Sequence, residues 1–300
     1  MDRLEAMRAF VAVAEAGSFV GGARSLAVSA PTVTRAVAEL EARLGAQLVH
    51  RTTRSLSLTE AGLRFLVSTR RLLADLEEAE RSAAGAAATP SGHLRLTAPL
   101  TFGRSHVMPV LAAFLRAQPR IDAALVLLDR VANLVEEGFD LAVRIAELPD
   151  STLVARRLGE VRRLLVASPA YLERRGLPRH PGELAQHEVI GSGFMFSGGE
   201  WHFDEQGRSR SVGLASRLVV NDALAAIMAA ERGEGITGAL SYMVAPQRAA
   251  GELVVVLEEF TPPALPVHLV YPTSRLLAAK VRAFVDFAAP RLTRALADAG

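Results

Sequence analysis

Three hundred residues, half of them apolar and 22% charged, carry enough hydrophobic surface for two or three cored domains and exclude a disordered chain. The absence of cysteine removes disulfides, thiolate zinc sites and cysteine nucleophiles. A net charge of +2 excludes a polycation; all but one of the 34 lysine and arginine side chains are arginine, Lys280 being the exception, but a GC-rich genome produces the same bias as a phosphate-binding surface.

The N-terminal stretch MDRLEAMRAFVAVAEAGSF spaces Leu4, Met7, Phe10, Val11 and Ala14 as one face of a helix and carries acidic residues at 2, 5 and 15, unlike the unbroken apolar core of a signal peptide. No run approaches the roughly 18 apolar residues of a membrane span, so a cytoplasmic location is the default expectation. Gly17-Ser18 then marks a turn with Ser18 as N-cap, and FVGGARSLAVS gives a short helix with Ala23 and Leu26 inward. After a tight turn at Val28-Ser29, SAPTVTRAVAELEARLG (29–45) reads as a helix capped by Ser29, with Pro31 in its first turn and Gly45 as its stop.

Val33, Val37, Leu40 and Leu44 fall within about a quarter-turn of one another and predict its packed stripe. The reverse face carries Pro31, Arg35, Ala38 and Ala42, flanked by Thr32 and Glu39. Small residues around one arginine either face solvent or lie against a closely approaching partner. Two short helices joined by about three or four residues, the second with this face, match a helix-turn-helix. LVHRTTRSLSLT continues as a hairpin, with Leu48, Val49, Leu56 and Leu58 in its arms and Arg51, Thr52, Thr53 and Arg54 at its tip. Beside a helix-turn-helix, this reads as a wing offering arginines to a phosphate backbone, with a solvated hairpin as the alternative.

From Thr59 a single long helix is predicted, with Leu63, Leu66, Leu73, Leu76 and Ala79 among its apolar positions. Its apolar surface needs a cover, either the same helix of a second subunit or another part of its own chain. AAGAAATPSG (83–92) is a linker by composition. Strands are then predicted at 93–98, 122–129 and 140–145, with helices at 105–119 and 131–138 between them. This alternation implies a mainly parallel sheet with ligand chemistry at the carboxyl ends of its strands. A second unit of the same kind runs over about 162–257, and a strand at 265–272 and a helix at 276–296 return to the first, giving two lobes around a cleft.

ARSLAVSAPTVTRAVAELEARLGAQLVHRTTRSLSLTEAG resembles the DNA-binding segment of LysR-type transcriptional regulators, and NLVEEGFDLAVRIAELPDSTLVARRLG is similar to part of that family's effector domain. The resemblance extends over essentially the whole chain. It implies an α/β protein with an N-terminal winged helix-turn-helix (1–58), a long dimerisation helix and hinge (59–91), and a two-lobed, periplasmic-binding-protein-like effector domain at 92–300. Lobe I then takes about 92–161 and 268–300, and lobe II about 162–267. The family's major-groove face falls on Ala30, Pro31, Thr32, Thr34 and Arg35, with Arg51 and Arg54 in the wing near the DNA backbone. Many members carry glutamine at the position of Ala30, so one bidentate adenine contact is missing.

The family's effector cleft falls on the end of the first strand from Thr97 through Thr101 to Phe102, on Arg144 and Ile145, on the GSGF loop with Ser192, and on Asn221. Hydroxyls, helix N-termini and the Arg144 cation together suit a small carboxylate, although a structural ion pair is the alternative for Arg144. Where relatives read close to GLGIALLP, this chain reads GEGITGALS, placing Glu234 and Thr237 at the cleft edge or in solvent.

The implied partners are double-stranded DNA bearing an interrupted inverted repeat, a small-molecule effector, a homodimer or homotetramer of the chain, and RNA polymerase as a further candidate; no cofactor, metal or membrane is expected. The competing classes are an enzyme and a solute-binding protein. GSGFMFSGG lacks GxGxxG spacing, no GxSxG or SxxK is present, and the seven histidines include no close pair at metal-ligand spacing. A solute-binding protein predicts an export signal, which the N-terminal helix does not resemble.

Overall fold

The computed structural model describes residues 2–51, 56–83, 90–148, 152–193, 199–272 and 278–298. Thr52, Thr53 and Arg54 at the hairpin tip, most of the predicted linker, and Phe194 of the GSGF loop lie outside the described residues, as does the side chain of Arg51. The chain divides into two compact units. One holds the N-terminal residues to Gly92 together with Asn133–Phe139 and the start of the last helix, and the other holds the remainder.

In the first unit α1 (Arg3–Ala16), α2 (Phe19–Ser25) and α3 (Ala30–Leu44) are followed by a hairpin of β1 (Val49–Arg51) and β2 (Leu56–Leu58) and by α4 (Glu60–Ala83). Capping chemistry sets the joints. Gly17 is left-handed at the end of α1, and the Ser18 hydroxyl accepts the Gly21 N–H at 3.0 Å to start α2. At the end of α3, left-handed Gly45 lets the N–H groups of Gly45 and Ala46 reach the carbonyls of Ala42 and Glu41, closing the helix with a Schellman motif. Phe10, Val13, Val33, Ala36, Val37, Leu40 and Leu48 form the core, where each large side chain contributes roughly 1.5–3 kcal/mol by burial. Two expected core residues, Leu26 and Leu44, are exposed instead: Leu26 is the C-cap of α2 and Leu44 the last residue of α3.

Close backbone approach completes this unit. A Cβ on Gly22 would sit 2.8 Å from the Val13 nitrogen, and one on Gly62 would run into the Leu48 carbonyl oxygen. The Glu41 carboxylate accepts the N–H groups of Leu48 and Val49 at 2.8 and 3.1 Å, tying the hairpin to α3. Along α4, Leu66 joins the core of α1 and α3, Phe65 stacks at 5.7 Å from Phe10, and Arg70 pairs with Glu15 at 2.8 Å. Packing on its own chain thus covers the Leu66 face, while Leu63 and Val67, one turn apart, stay exposed.

The second unit holds two five-stranded sheets. The first is built from β3 (Gly92–Ala98), β4 (Ile121–Leu127), β5 (Leu141–Ile145), β6 (Leu153–Val161) and β14 (Leu265–Pro272) in the order β4-β3-β5-β14-β6. β3 and β5 are parallel, and β14 runs antiparallel to β5 and β6. The second combines β7 (Arg163–Ala167), β8 (Val189–Ser192), β11 (Leu218–Val220), β12 (Ile236–Leu240) and β13 (Val254–Val256) in the order β11-β8-β12-β7-β13. Here β8 is parallel to β11 and β12, whereas β7 opposes β12 and β13. Most strands of each sheet thus run the same way, as expected, and the sheets are mixed because β14 and β7, the strands by which the chain enters each sheet, run against their neighbours. A separate hairpin of β9 (Glu200–Glu205) and β10 (Arg208–Gly213) lies beside the second sheet's core through Trp201 and Phe203.

Helices cover these sheets. After β3 come α5 (Leu100–Phe102), a π-helical turn at Gly103–Val107 and α6 (Met108–Ala117), so this helix starts several residues before the predicted 105. The others are α7 (Pro169–Arg175), α8 (Ala223–Glu231), α9 (Ser241–Ala249) and α10 (Ala279–Asp298). The expected helix at 131–138 is only a turn. Asn133 caps the N–H groups of Val135 and Glu136, and left-handed Gly138 ends the segment before a second turn forms. Among the described residues no helix is long and apolar enough to cross a membrane.

Candidate nucleic-acid interface and effector site

The outward face of α3 is held by a buried reverse face. Val33, Ala36, Val37 and Leu40 are inside, while Pro31, Thr32, Arg35, Ala38, Glu39 and Ala42 are exposed. The Ser29 side chain caps the helix by accepting the Thr32 N–H at 3.3 Å and lies 2.7 Å from the Thr32 hydroxyl, so that hydroxyl has a fixed position at the helix N-terminus. Thr34 and Ala30 are half-buried: the Thr34 hydroxyl donates back to the Ala30 carbonyl at 2.9 Å, and Ala30 packs against the core. Pro31, Thr32 and Arg35 therefore form the projecting part of the expected set, with Ala30 and Thr34 on its flank. Arg35 makes no hydrogen bond or ion pair among the described residues, leaving its five N–H donors for a ligand.

The turn between α2 and α3 positions that face. Ala27 adopts a left-handed conformation at φ 53°, unusual for a non-glycine residue, and the Val28 N–H returns to the Ala23 carbonyl at 3.0 Å. β1 and β2 pair with Val49 opposite Leu58 and Arg51 opposite Leu56, bringing the Arg51 backbone to the hairpin end that leads to the tip.

The expected effector residues are spread over both sheets. Thr97 lies at the end of β3, opposite Ala142 of β5, and is buried, as are Thr101 and Phe102. Thr101 and Phe102 belong to α5 and do not extend the strand. Ser192 ends β8, buried, with its hydroxyl toward the Gly238 carbonyl at 3.4 Å. Asn221 is exposed just before α8, and Ile145 is half-buried at the end of β5. Arg144 donates to the Ala132 carbonyl at 2.8 Å and has no carboxylate partner among the described residues; burial pushes its guanidinium below the ordinary arginine value. Thr237 neither edges a cleft nor faces solvent: it is fully buried and its hydroxyl donates to the Ile190 carbonyl at 3.0 Å. Glu234 is exposed.

The two helix N-termini expected to hold a carboxylate already carry one. Asp129 accepts the Leu100 N–H at 2.8 Å, and Asp222 caps α8 by accepting the Ala225 N–H at 2.8 Å. These dipole ends are satisfied by the chain's own acids. Among the described residues no group of three or more His, Asp or Glu side chains is placed to hold a metal.

Two residues not singled out in the sequence pack against Phe102. Phe102, His106 and Tyr242 form an aromatic cluster, with centroids 4.8 Å apart for Phe102 and His106, 5.3 Å for Phe102 and Tyr242, and 5.4 Å for His106 and Tyr242. The cluster joins the helix after β3 to the helix after β12. Among the described residues, His106 Nε2 is buried without a hydrogen-bond partner, and the buried Tyr242 hydroxyl has only the Phe102 backbone close to it, outside hydrogen-bond geometry. Burial lowers the His106 pKa, keeping the imidazole neutral; burial, and then the Asp129 charge, hold the Tyr242 phenol well above its usual value against a smaller opposing contribution from the Phe102 backbone. Orphaned polar atoms of this kind call for a ligand or water. SHVMP and LSYM gave no sequence signal, because the two segments meet only through the tertiary fold.

Sequence comparison finds the family described as bacterial regulatory helix-turn-helix protein, lysR family, at residues 4–63, and the LysR substrate binding domain at residues 87–293. An HTH-type transcriptional regulator of Xanthomonas campestris pv. campestris is 38% identical over 291 residues, 94% of this chain and 83% of that protein. An HTH-type transcriptional repressor of Pseudomonas aeruginosa is 37% identical over 292 residues, covering 96% and 91%. Among solved structures, CrgA from Neisseria meningitidis, described as a LysR-type transcriptional regulator, matches at 31% identity with a TM-score of 0.61 over 96% of this chain and 98% of that one. The virulence activator AphB of Vibrio cholerae matches at 29% identity and a TM-score of 0.62, covering 96% and 98%.

Proposed function

The chain belongs to the LysR family of DNA-binding transcriptional regulators with an effector-binding domain, and from that premise we propose how its own residues divide the work. Pro31, Thr32 and Arg35 enter the major groove, with Ala30 and Thr34 closing against its edge. Arg51 and Arg54 grip the phosphate backbone from the wing. The observation that supports this most is the asymmetry of α3: one face is sealed in a core, and the other presents small side chains around an arginine with no partner among the described residues. Small residues let the helix backbone approach base edges, and arginine suits bidentate recognition of guanine.

Two chains pair through α4, the exposed Leu63 and Val67 strip supplying apolar surface for the second copy, and the dimer or a tetramer built from it reads an interrupted inverted repeat. The effector site comprises Thr97, Thr101, Phe102, Ser192 and Asn221, with His106 and Tyr242 offering their orphaned atoms. With Asp129 and Asp222 on the helix N-termini, a carboxylate effector depends on Arg144 and Ile145's strand end for recognition. The effector shifts the balance between two arrangements of the dimer by its differential affinity, typically ~1–3 kcal/mol. The protein acts in the cytoplasm, without a catalytic step, and RNA polymerase is the downstream partner.

A mobility-shift assay with the full chain and the intergenic DNA upstream of its own reading frame tests this. A shift that survives excess unrelated competitor and weakens steeply with salt is expected; equal binding to all duplexes, or none, overturns it.

A further inference from the structure

We propose that the second sheet carries another small-molecule site, selective for an organic acid with an aromatic or cycloaliphatic body, between the β9–β10 hairpin, the start of β7 and residues 257–262. A cavity of about 350 Å³ lies there, at the lower end of the size range of ligand pockets. Trp201 and Phe203 from β9, Leu165 from β7 and Phe260 give it apolar walls. Arg163, His202, Ser209 and Thr261 are its polar groups.

Strand alternation makes Arg163 unusual. On β7, Leu164 and Val166 face one apolar cluster, while Leu165 and Ala167 face the other, which contains Trp201 and Phe203. Arg163 falls in the second series, at a position where the pattern calls for an apolar side chain. The adjacent arginine is neutralised, Arg162 pairing with Glu258 at 3.0 Å, and on β10 Arg210 pairs with Glu205 at 2.9 Å. Arg163 has no carboxylate partner among the described residues and donates only to the Pro263 carbonyl, at 3.1 Å. That bond uses one of five N–H donors. Burial alone pushes its guanidinium below the ordinary arginine value, so the cation has lost hydration without gaining an anion. A carboxylate entering the cavity restores the missing partner through charge-assisted hydrogen bonds while its ring covers Trp201 and Phe260.

None of the residues proposed for the effector site lines this cavity, so the two sites share no residue. The chain has one tryptophan, Trp201, and it lines the cavity, which makes its fluorescence a direct reporter. The test titrates the full-length protein with phenylacetate, 3-phenylpropionate and cyclohexanecarboxylate, with phenylacetamide as the uncharged control. A saturable change in Trp201 emission below about 1 mM is expected for at least one acid, with none for the amide. Arg163→Gln is expected to weaken it by at least about tenfold, and Thr97→Val to leave it unchanged. Should Arg163→Gln fail to melt cooperatively, Ser209→Leu on the exposed β10 strand fills the cavity instead and is expected to abolish the response. No saturable change with any of the acids up to about 10 mM overturns the proposal, as does a response that the folded Arg163→Gln protein, or otherwise the Ser209→Leu protein, retains in full.

Discussion

The helical N-terminal unit and the two-sheet unit handle polar groups in opposite ways. Around α3, the groups proposed to act are outside: Arg35 is exposed and has no partner among the described residues, and behind it Val33, Ala36, Val37 and Leu40 pack into an apolar cluster. In the sheets, the hydroxyls of Ser192 and Thr237 are buried and turned to main-chain carbonyls, and His106 and Tyr242, brought together by the fold, are among the buried side chains with unsatisfied polar atoms. A reader of a long, uniform polymer works from one rigid surface helix. A receptor for a small molecule has to enclose it, and so draws its contacts from several strands and helices.

The largest effect that sharpens this contrast comes from glycine. Gly62→Ala puts a methyl group against the Leu48 carbonyl, where backbone faces backbone, and is expected to cost about 3 kcal/mol and to abolish DNA binding. Gly213→Ala, with open space around its Cβ position, is expected to stay within about 0.5 kcal/mol. Urea denaturation of the two variants measures the difference, and equal stability would break the claim that close backbone packing specifies the N-terminal unit.

A smaller effect is expected for Thr97→Val, which keeps the buried shape and removes the hydroxyl. It should weaken effector response by about fivefold, the worth of one ordinary hydrogen bond, while leaving operator affinity unchanged in mobility shifts. A change in the DNA affinity alone would place Thr97 outside the effector site. The smallest effect concerns pH. Burial lowers the folded-state pKa of His106 from its ordinary value of 6.5, so the unfolded chain takes up the proton first, and stability present above about pH 6.5 is lost as the pH falls below it. His187 and His268 act in the same direction. Melting temperatures at pH 7.5 and 5.5 should therefore fall on acidification, and less so in His106→Gln; an equal fall in both proteins would mean that His106 is not the group responsible.

Much of the N-terminal unit was legible because its signals are local. Ser18, Ser29 and Gly45 act within a turn of where they stand, and the apolar spacing of α3 finds its own core. The same periodicity misassigned Leu26 and Leu44, since it carries no information about where a neighbouring helix ends. At 131–138 an apolar and acidic pattern suggested a helix, yet one capped turn closed by Gly138 satisfies the same residues. The alternation of strands and helices revealed the class of the second unit but not the direction of its crossover strands. Thr97 and Phe102 were proposed for the effector site through family resemblance; the meeting of His106 with Tyr242 was not foreseen, because no spacing rule links residues brought together only by the tertiary fold.

The most direct test of the proposed reading head is the affinity of Arg35→Ala for the footprinted operator, measured beside the unmodified protein at one fixed salt concentration. Arg35 is exposed and has no bonding partner among the described residues, so its removal should leave melting unchanged and weaken specific binding by about 1–3 kcal/mol, with much less loss on unrelated duplex. Unchanged operator affinity in the folded variant would contradict the assignment of the outer face of α3 as the surface that reads DNA.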